Sequence, residues 1–155
     1  MTQEPLQILL AEDDDGHALL IERNLKRAGF VNRVVRARDG QEALDLVRGK
    51  GSAAPPGTQF LLLLDINMPR IDGVEVLRQL KGDPKTARTP VIMLTTTDDP
   101  REVERCYQLG CSIYITKPVR YEDFVEALKR LGMFLEIVKL PTGANTVVAT
   151  NKNTP

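Results

Sequence analysis

The chain has little of what usually announces a function. Its charge has no surplus of either sign, 21 Lys plus Arg against 21 Asp plus Glu, so no strong field draws it to nucleic acid or an anionic membrane. No local basic run replaces that field; Arg33, Arg36 and Arg38 are spread along one strand-like stretch. Its apolar runs are far shorter than the roughly 20 residues a bilayer span requires, and its first residues show neither the basic nor the hydrophobic segment of a secretory leader. Cysteine is scarce: Cys106 and Cys111 are the only two, and without companions at ligand spacing they suggest neither a zinc site nor a disulfide framework. Structural thiols in a reducing cytoplasm are the expectation. The single histidine, His17, reads as a helix-surface residue. Nucleic-acid binding and membrane insertion are set aside on these grounds.

What is present is alternation. Five apolar, strand-like runs, Leu6 to Ala11, Val31 to Ala37, Phe60 to Leu64, Val91 to Thr95 and Ser112 to Thr116, are each followed by a segment of helical periodicity. The helical segments are Gly16 to Ala28, Gln41 to Arg48, Val74 to Lys81, Pro100 to the Gly110 stop, and one starting near Tyr121. Length favours one domain. Strands alternating with helices predict an α/β fold: a parallel five-stranded sheet with right-handed crossovers, covered on both faces. The flavodoxin-like order 2-1-3-4-5 is the expected one, with its switch point between the first and third strands. Residues 49–59, a long Gly- and Pro-containing link, are expected to be mobile. The domain is expected to cover 1–138, with 139–155 a disordered tail.

That topology has a chemical consequence. The central run Phe60 to Leu64 ends on Asp65, followed by the turn residues Asn67, Met68-Pro69 and Asp72-Gly73. The first run ends on Glu12 and Asp13. Open α/β sheets bind ligands at the carboxyl ends of their strands, so these three acids should meet. Their mutual repulsion is relieved by a divalent cation, and all-oxygen ligands suit Mg²⁺. Asp13, Asp65 and the backbone carbonyl of Asn67 would be ligands, with Glu12 acting through a water. Thr95 and Lys117 end the fourth and fifth runs and add a hydroxyl and an ammonium. Together they describe a site that places a phosphoryl group on the Asp65 carboxylate.

With Glu12-Asp13, Asp65-Ile-Asn-Met-Pro-x-x-Asp-Gly, Thr95 and Lys117-Pro118 in place, the chain resembles the receiver domains of two-component response regulators over about Leu6 to Arg130. The resemblance implies that Asp65 is the phosphoacceptor, Asp13 a direct Mg²⁺ ligand, Thr95 the switch hydroxyl, Tyr114 the switch aromatic and Lys117 the phosphate-binding lysine, with Lys117-Pro118 in cis. It implies a sensor histidine kinase as partner and readout through the face formed by the fourth helix, fifth strand and fifth helix, and it places Asn67 and Thr97 at positions that tune dephosphorylation. Glu12 departs from the Asp also common there. The stretch KGDPKTARTPVIMLTTTDD, the link before the third strand and the run into FLEIVKLP are further similar to the small regulators paired with bacterial phytochrome kinases.

Rival readings have their own signatures. An aspartyl-phosphate phosphatase would carry a second catalytic Asp two residues after the nucleophile, where this chain has Asn67. A flavin-binding electron carrier would have a hydroxyl- and glycine-rich loop after the first strand, where this chain has Glu-Asp-Asp-Asp. A receiver that no longer accepts phosphate would not need the acids and the lysine. The chain therefore reads as a phosphoacceptor rather than an enzyme acting on other substrates. In the last helix Phe124, Leu128, Leu131, Leu135 and Val138 form one stripe, while Met133, Phe134 and Ile137 lie off it. That surplus predicts a homodimer or partner surface.

Overall fold

The computed structural model describes residues 6–50, 54–55 and 57–131. Its elements run β1 (Gln7–Ala11), α1 (Asp15–Arg27), β2 (Val34–Ala37), α2 (Gly40–Val47), β3 (Phe60–Asp65), α3 (Gly73–Lys81), β4 (Val91–Thr95), α4 (Pro100–Leu109), β5 (Ile113–Thr116) and α5 (Tyr121–Leu131). All strand pairs are parallel, in the order β2-β1-β3-β4-β5. The expected flavodoxin-like α/β topology is the one found.

The central strands are apolar throughout because both faces are covered. Alternate side chains enter two cores. Leu9, Leu62, Leu64 and Met93 pack with Leu44, Leu77 and Cys106 of α2, α3 and α4. Ile8, Leu10, Leu61, Leu63 and Leu94 pack with Ile21, Leu25 and Phe124 of α1 and α5. Each leucine fully withdrawn from water contributes about 1.5–3 kcal/mol, so this period of two fixes which strand face each helix covers.

Aspartates start four of the helices: Asp14, Asp39, Asp72 and Asp99 each accept a backbone N–H of the first turn. Helix α4 stops at Gly110, whose φ of 110° lets its N–H reach Tyr107 O while Cys111 N–H reaches Cys106 O.

Most boundaries agree with the sequence expectation within a residue. The second strand does not: it begins at Val34, and Val31 is 62% exposed. The Asn32 side-chain amide donates to Leu6 O at 2.7 Å, so the chain bends before its register with β1 begins. In the link before β3, Ala54 is buried as a member of the core cluster that includes Leu44 and Phe60; residues 51–53 and 56, on which the expected mobility also bears, lie outside the described residues. The surplus apolar residues Met133, Phe134 and Ile137, the stripe beyond Leu131 and the proposed tail lie outside the described residues. Among the described residues no helix is long and apolar enough to cross a membrane.

Candidate functional site

Strand register assembles the site. Ala11 pairs with Leu64, which makes Glu12 and Asp65 the next residues on adjacent strands. Glu12 N–H still bonds Ala37 O of β2 at 3.0 Å, so the ladder carries Glu12 to the end of the sheet before the chain turns. Asp13 follows in that turn, and Asp14 caps α1 with its side chain on His17 N–H at 2.9 Å. On the other side Asp65 pairs with Leu94 and Thr95 with Thr116. Lys117 follows Thr116, its N–H on Thr95 O at 2.7 Å and its bond to Pro118 cis.

The three acids meet as expected. One carboxylate oxygen from each of Glu12, Asp13 and Asp65 lies within 4.8 Å of the others. Glu12 is 1% exposed and bonds Lys117 Nζ through Oε1; its Oε2 accepts Asp14 N–H at 3.2 Å. Lys117 Nζ is also 3.5 Å from Asp65 Oδ2. Burial, and next the charge of Glu12, push the Asp65 carboxyl up to about 6, against the opposing pull of Lys117 and of Asn67 N–H. Repulsion and desolvation outweigh the single ammonium. Asp13 is exposed at the rim.

This donor set fits Mg²⁺. Ligand oxygens about 2.0–2.1 Å from an octahedral ion stand roughly 2.9 Å apart in cis and 4.1 Å in trans, separations that the three carboxylate oxygens, all within 4.8 Å of one another, leave room for. Three carboxylates against one ammonium also leave the negative excess that a divalent ion matches. Bound there, Mg²⁺ would supply charge neutralisation for incoming phosphoryl oxygens.

The loop after Asp65 is held by backbone packing. Gly73 N–H bonds Ile66 O at 2.8 Å, and a Cβ on Gly73 would stand 2.2 Å from Asp65 O. Gly73→Ala is therefore expected to cost about 2 kcal/mol, read as a lower urea midpoint; an unchanged midpoint would refute this account of the loop. Arg70 in the same loop has φ 70°, a region non-glycine residues rarely enter. Its guanidinium lies 3.4 Å from Asp39, the cap of α2.

This constellation at the switch point of a 2-1-3-4-5 sheet agrees with the family comparison, in which residues 8–129 match the response regulator receiver domain. The chain belongs to that family. Among curated relatives, the probable methanogenesis regulatory protein FilR2 of Methanothrix harundinacea is 36% identical over 132 residues, 83% of each chain. Response regulator Rcp1 of Synechocystis is 33% identical over 138 residues, 88% of this chain and 94% of that protein; a solved Mn²⁺-bound form of Rcp1 superposes with a TM-score of 0.68 at 32% identity, covering 89% of this chain and all of that one. The bacteriophytochrome response regulator AtBRR superposes with a TM-score of 0.75 at 34% identity, over 90% of this chain and 99% of that one. This receiver thus has phytochrome response regulators among its relatives.

The remaining candidates lie further along the receiver's sheet edge. Thr95 is buried, its hydroxyl accepting Thr97 N–H at 3.3 Å. Tyr114 sits one strand further out and donates its hydroxyl to Thr97 O at 3.0 Å, joining β5 to the loop after Thr95. Burial pushes its phenol up to about 12. Asn67 is exposed, and its backbone N–H helps to pull the Asp65 carboxyl down. Cys106 and Cys111 are free and buried, their thiols raised by burial to about 11 and 12; inert structural thiols are what this implies.

Two neighbours of the site were not singled out from sequence. His17, read as an ordinary surface residue, has Nδ1 3.3 Å from Lys117 Nζ; its place on the first turn of α1, four residues after Asp13, was the available signal. Arg36, read as one of three scattered arginines, donates Nε–H to Glu12 O at 2.9 Å. It is the residue beside Ala37 at the carboxyl end of β2, and only the strand order shows that this end adjoins Glu12.

Proposed function

We propose that this receiver is a single-domain two-component response regulator, acting in the cytoplasm, that accepts a phosphoryl group on Asp65 from a sensor histidine kinase. The observation that carries the reading is the convergence of Glu12, Asp13 and Asp65 with Lys117 at one strand edge. An Asp65 carboxylate oxygen forms the new bond to phosphorus, and the bond from phosphorus to the donor imidazole nitrogen breaks, the imidazole leaving with its electron pair and taking a proton from solvent. Asp13, Asp65 and the Asn67 carbonyl would hold Mg²⁺, with Glu12 beside them. Lys117 receives a phosphoryl oxygen, and Thr95 offers its hydroxyl once its bond to Thr97 is exchanged. The acyl phosphate carries about −1.5 to −2 charges where the carboxylate carried one, and Lys117 and Thr95 bind them better in one arrangement of the Thr95–Tyr114 edge.

The phytochrome relatives support a bacteriophytochrome-type kinase as the donor. The readout surface is the face of α4, β5 and α5. There the edge strand β5 borders a groove of about 630 Å³, where Arg120 and Arg130 stand among Asp123 and Glu126. Mixed charge on one patch suits a twofold pairing of identical surfaces, and we read it as a homodimer face.

The test is transfer from autophosphorylated candidate kinases, a bacteriophytochrome among them, with Mg²⁺ and with chelator. Hydroxylamine-sensitive phosphate should appear on the chain only with Mg²⁺, and sedimentation before and after should report dimerisation. Phosphate of equal yield in chelator would refute the metal-dependent mechanism, and no transfer from any phytochrome kinase would remove that class of donor.

A further inference from the structure

We propose that Arg36 is a positioning residue that holds the Glu12–Asp15 turn in the geometry that binds the divalent cation. The inference rests on the reading of the acidic pocket above and adds a residue on a different strand to it. Two contacts of this side chain and one of its strand neighbour converge on the turn. Arg36 Nε–H donates to Glu12 O at 2.9 Å, and Nη1–H donates to Asp15 Oδ1 at 2.9 Å. Glu12 N–H is meanwhile tied to Ala37 O. Strand β2 thus grips both ends of the Glu12 residue. Because the Glu12 carbonyl belongs to the peptide plane that leads into Asp13, its direction sets where the Asp13 carboxylate stands. By reaching Asp15 with the same guanidinium, Arg36 spans the turn containing Asp13 and Asp14.

The guanidinium is held tightly for this. Its side chain is 19% exposed and is fixed through both Nε and Nη1. A planar fork can bridge a carbonyl and a carboxylate in fixed register, which a point charge on a flexible stem cannot. Arg38 provides the contrast: it is more exposed and meets Asp15 alone.

Charge and positioning predict opposite signs. Arg36 is a cation beside a cation site, so if only its charge mattered, removing it would tighten metal binding. If it positions Asp13, removing it weakens binding, and outer-shell partners of metal ligands typically matter by 10- to 100-fold in affinity. The experiment titrates the full chain with Mn²⁺, followed by the EPR signal of the free ion, with Mg²⁺ as competitor. The variants are Arg36→Gln, Arg36→Lys and Arg38→Gln. We expect Arg36→Gln to bind both ions about tenfold more weakly, Arg36→Lys to lie between it and the wild type, and Arg38→Gln to bind as tightly as the wild type or more so. Should Arg36→Gln fail to fold, Arg36→Lys, which keeps the charge, carries the test: affinity equal to the wild type's would overturn the proposal. So would tighter binding by Arg36→Gln, or equal weakening by Arg38→Gln. A wild-type chain that binds neither ion would overturn the reading of the pocket and this inference with it, whereas tight wild-type binding unaffected by Arg36→Gln overturns the inference alone.

Discussion

Asp65→Asn is expected to abolish phosphoryl acceptance and at the same time to make the metal-free protein more stable at neutral pH. The first effect follows if Asp65 is the nucleophile, since an amide oxygen cannot form a stable acyl phosphate. The second follows from the electrostatics. The Asp65 carboxyl titrates near 6 in the fold rather than at the ordinary 3.8. Below about pH 4 both folded and unfolded chains are protonated there, and the group contributes nothing. Between about 4 and 6 the unfolded chain releases its proton while the folded one keeps it, so stability falls as pH rises, and above 6 the full cost is present. A shift of this size corresponds to about 3 kcal/mol at most, or roughly a 5–10 °C higher Tm for the variant at pH 7. Thermal melts in chelator at pH 4, 5, 6 and 7 should show the two proteins diverging as pH rises. Mg²⁺ should narrow the gap by stabilising the wild type more. Phosphate on the Asn variant, or melts that do not diverge, would contradict this.

Lys117→Met should have the opposite effect on stability. The Lys117 side chain is 8% exposed and faces the side chains of Glu12, at 1%, and Asp65, at 6%. Removing the ammonium leaves two buried carboxylates without their cation, and breaking a buried pair in this way typically costs about 3–5 kcal/mol. Without the Lys117 charge that pulls it down, the Asp65 carboxyl then holds its proton more tightly, so the loss should be greatest at pH 8 and smaller at pH 5. Two partial rescues are expected, because each removes or balances the stranded charge: Glu12→Gln in the same chain, and millimolar Mg²⁺. Phosphoryl transfer should slow by about 10²-fold, the scale on which one positioned transition-state donor acts. A variant as stable as the wild type at pH 8 in chelator would show that the pair contributes nothing, and failure of both rescues would point to lost packing rather than charge.

These expectations draw unequally on sequence and structure. The strands were legible because a parallel sheet covered on both faces demands unbroken apolar runs, and the helices because apolar residues recur at helical spacing and glycine stops mark their ends. The acidic pocket was legible for a topological reason: once order 2-1-3-4-5 is inferred, the first and third strands are neighbours and the acids that end them share one sheet edge, while the Ala11–Leu64 register came from the structure. Val31 misled because an isolated β-branched residue looks the same in a strand as in the bend before one; the Asn32 amide on Leu6 O decided it.

The amino-acid order by itself determined which residues are acidic, where each strand ends, and therefore that Glu12, Asp13, Asp65 and Lys117 share an edge. Only the tertiary structure decided that Lys117 is spent largely on Glu12, that His17 stands against it, and that Arg36 holds the Glu12 carbonyl. These contacts join residues 105, 100 and 24 positions apart. Local periodicity reports which way a side chain leaves its own strand or helix, but whom it meets depends on neighbours brought in from elsewhere in the chain, and so does the burial that lifts the Asp65 carboxyl to about 6.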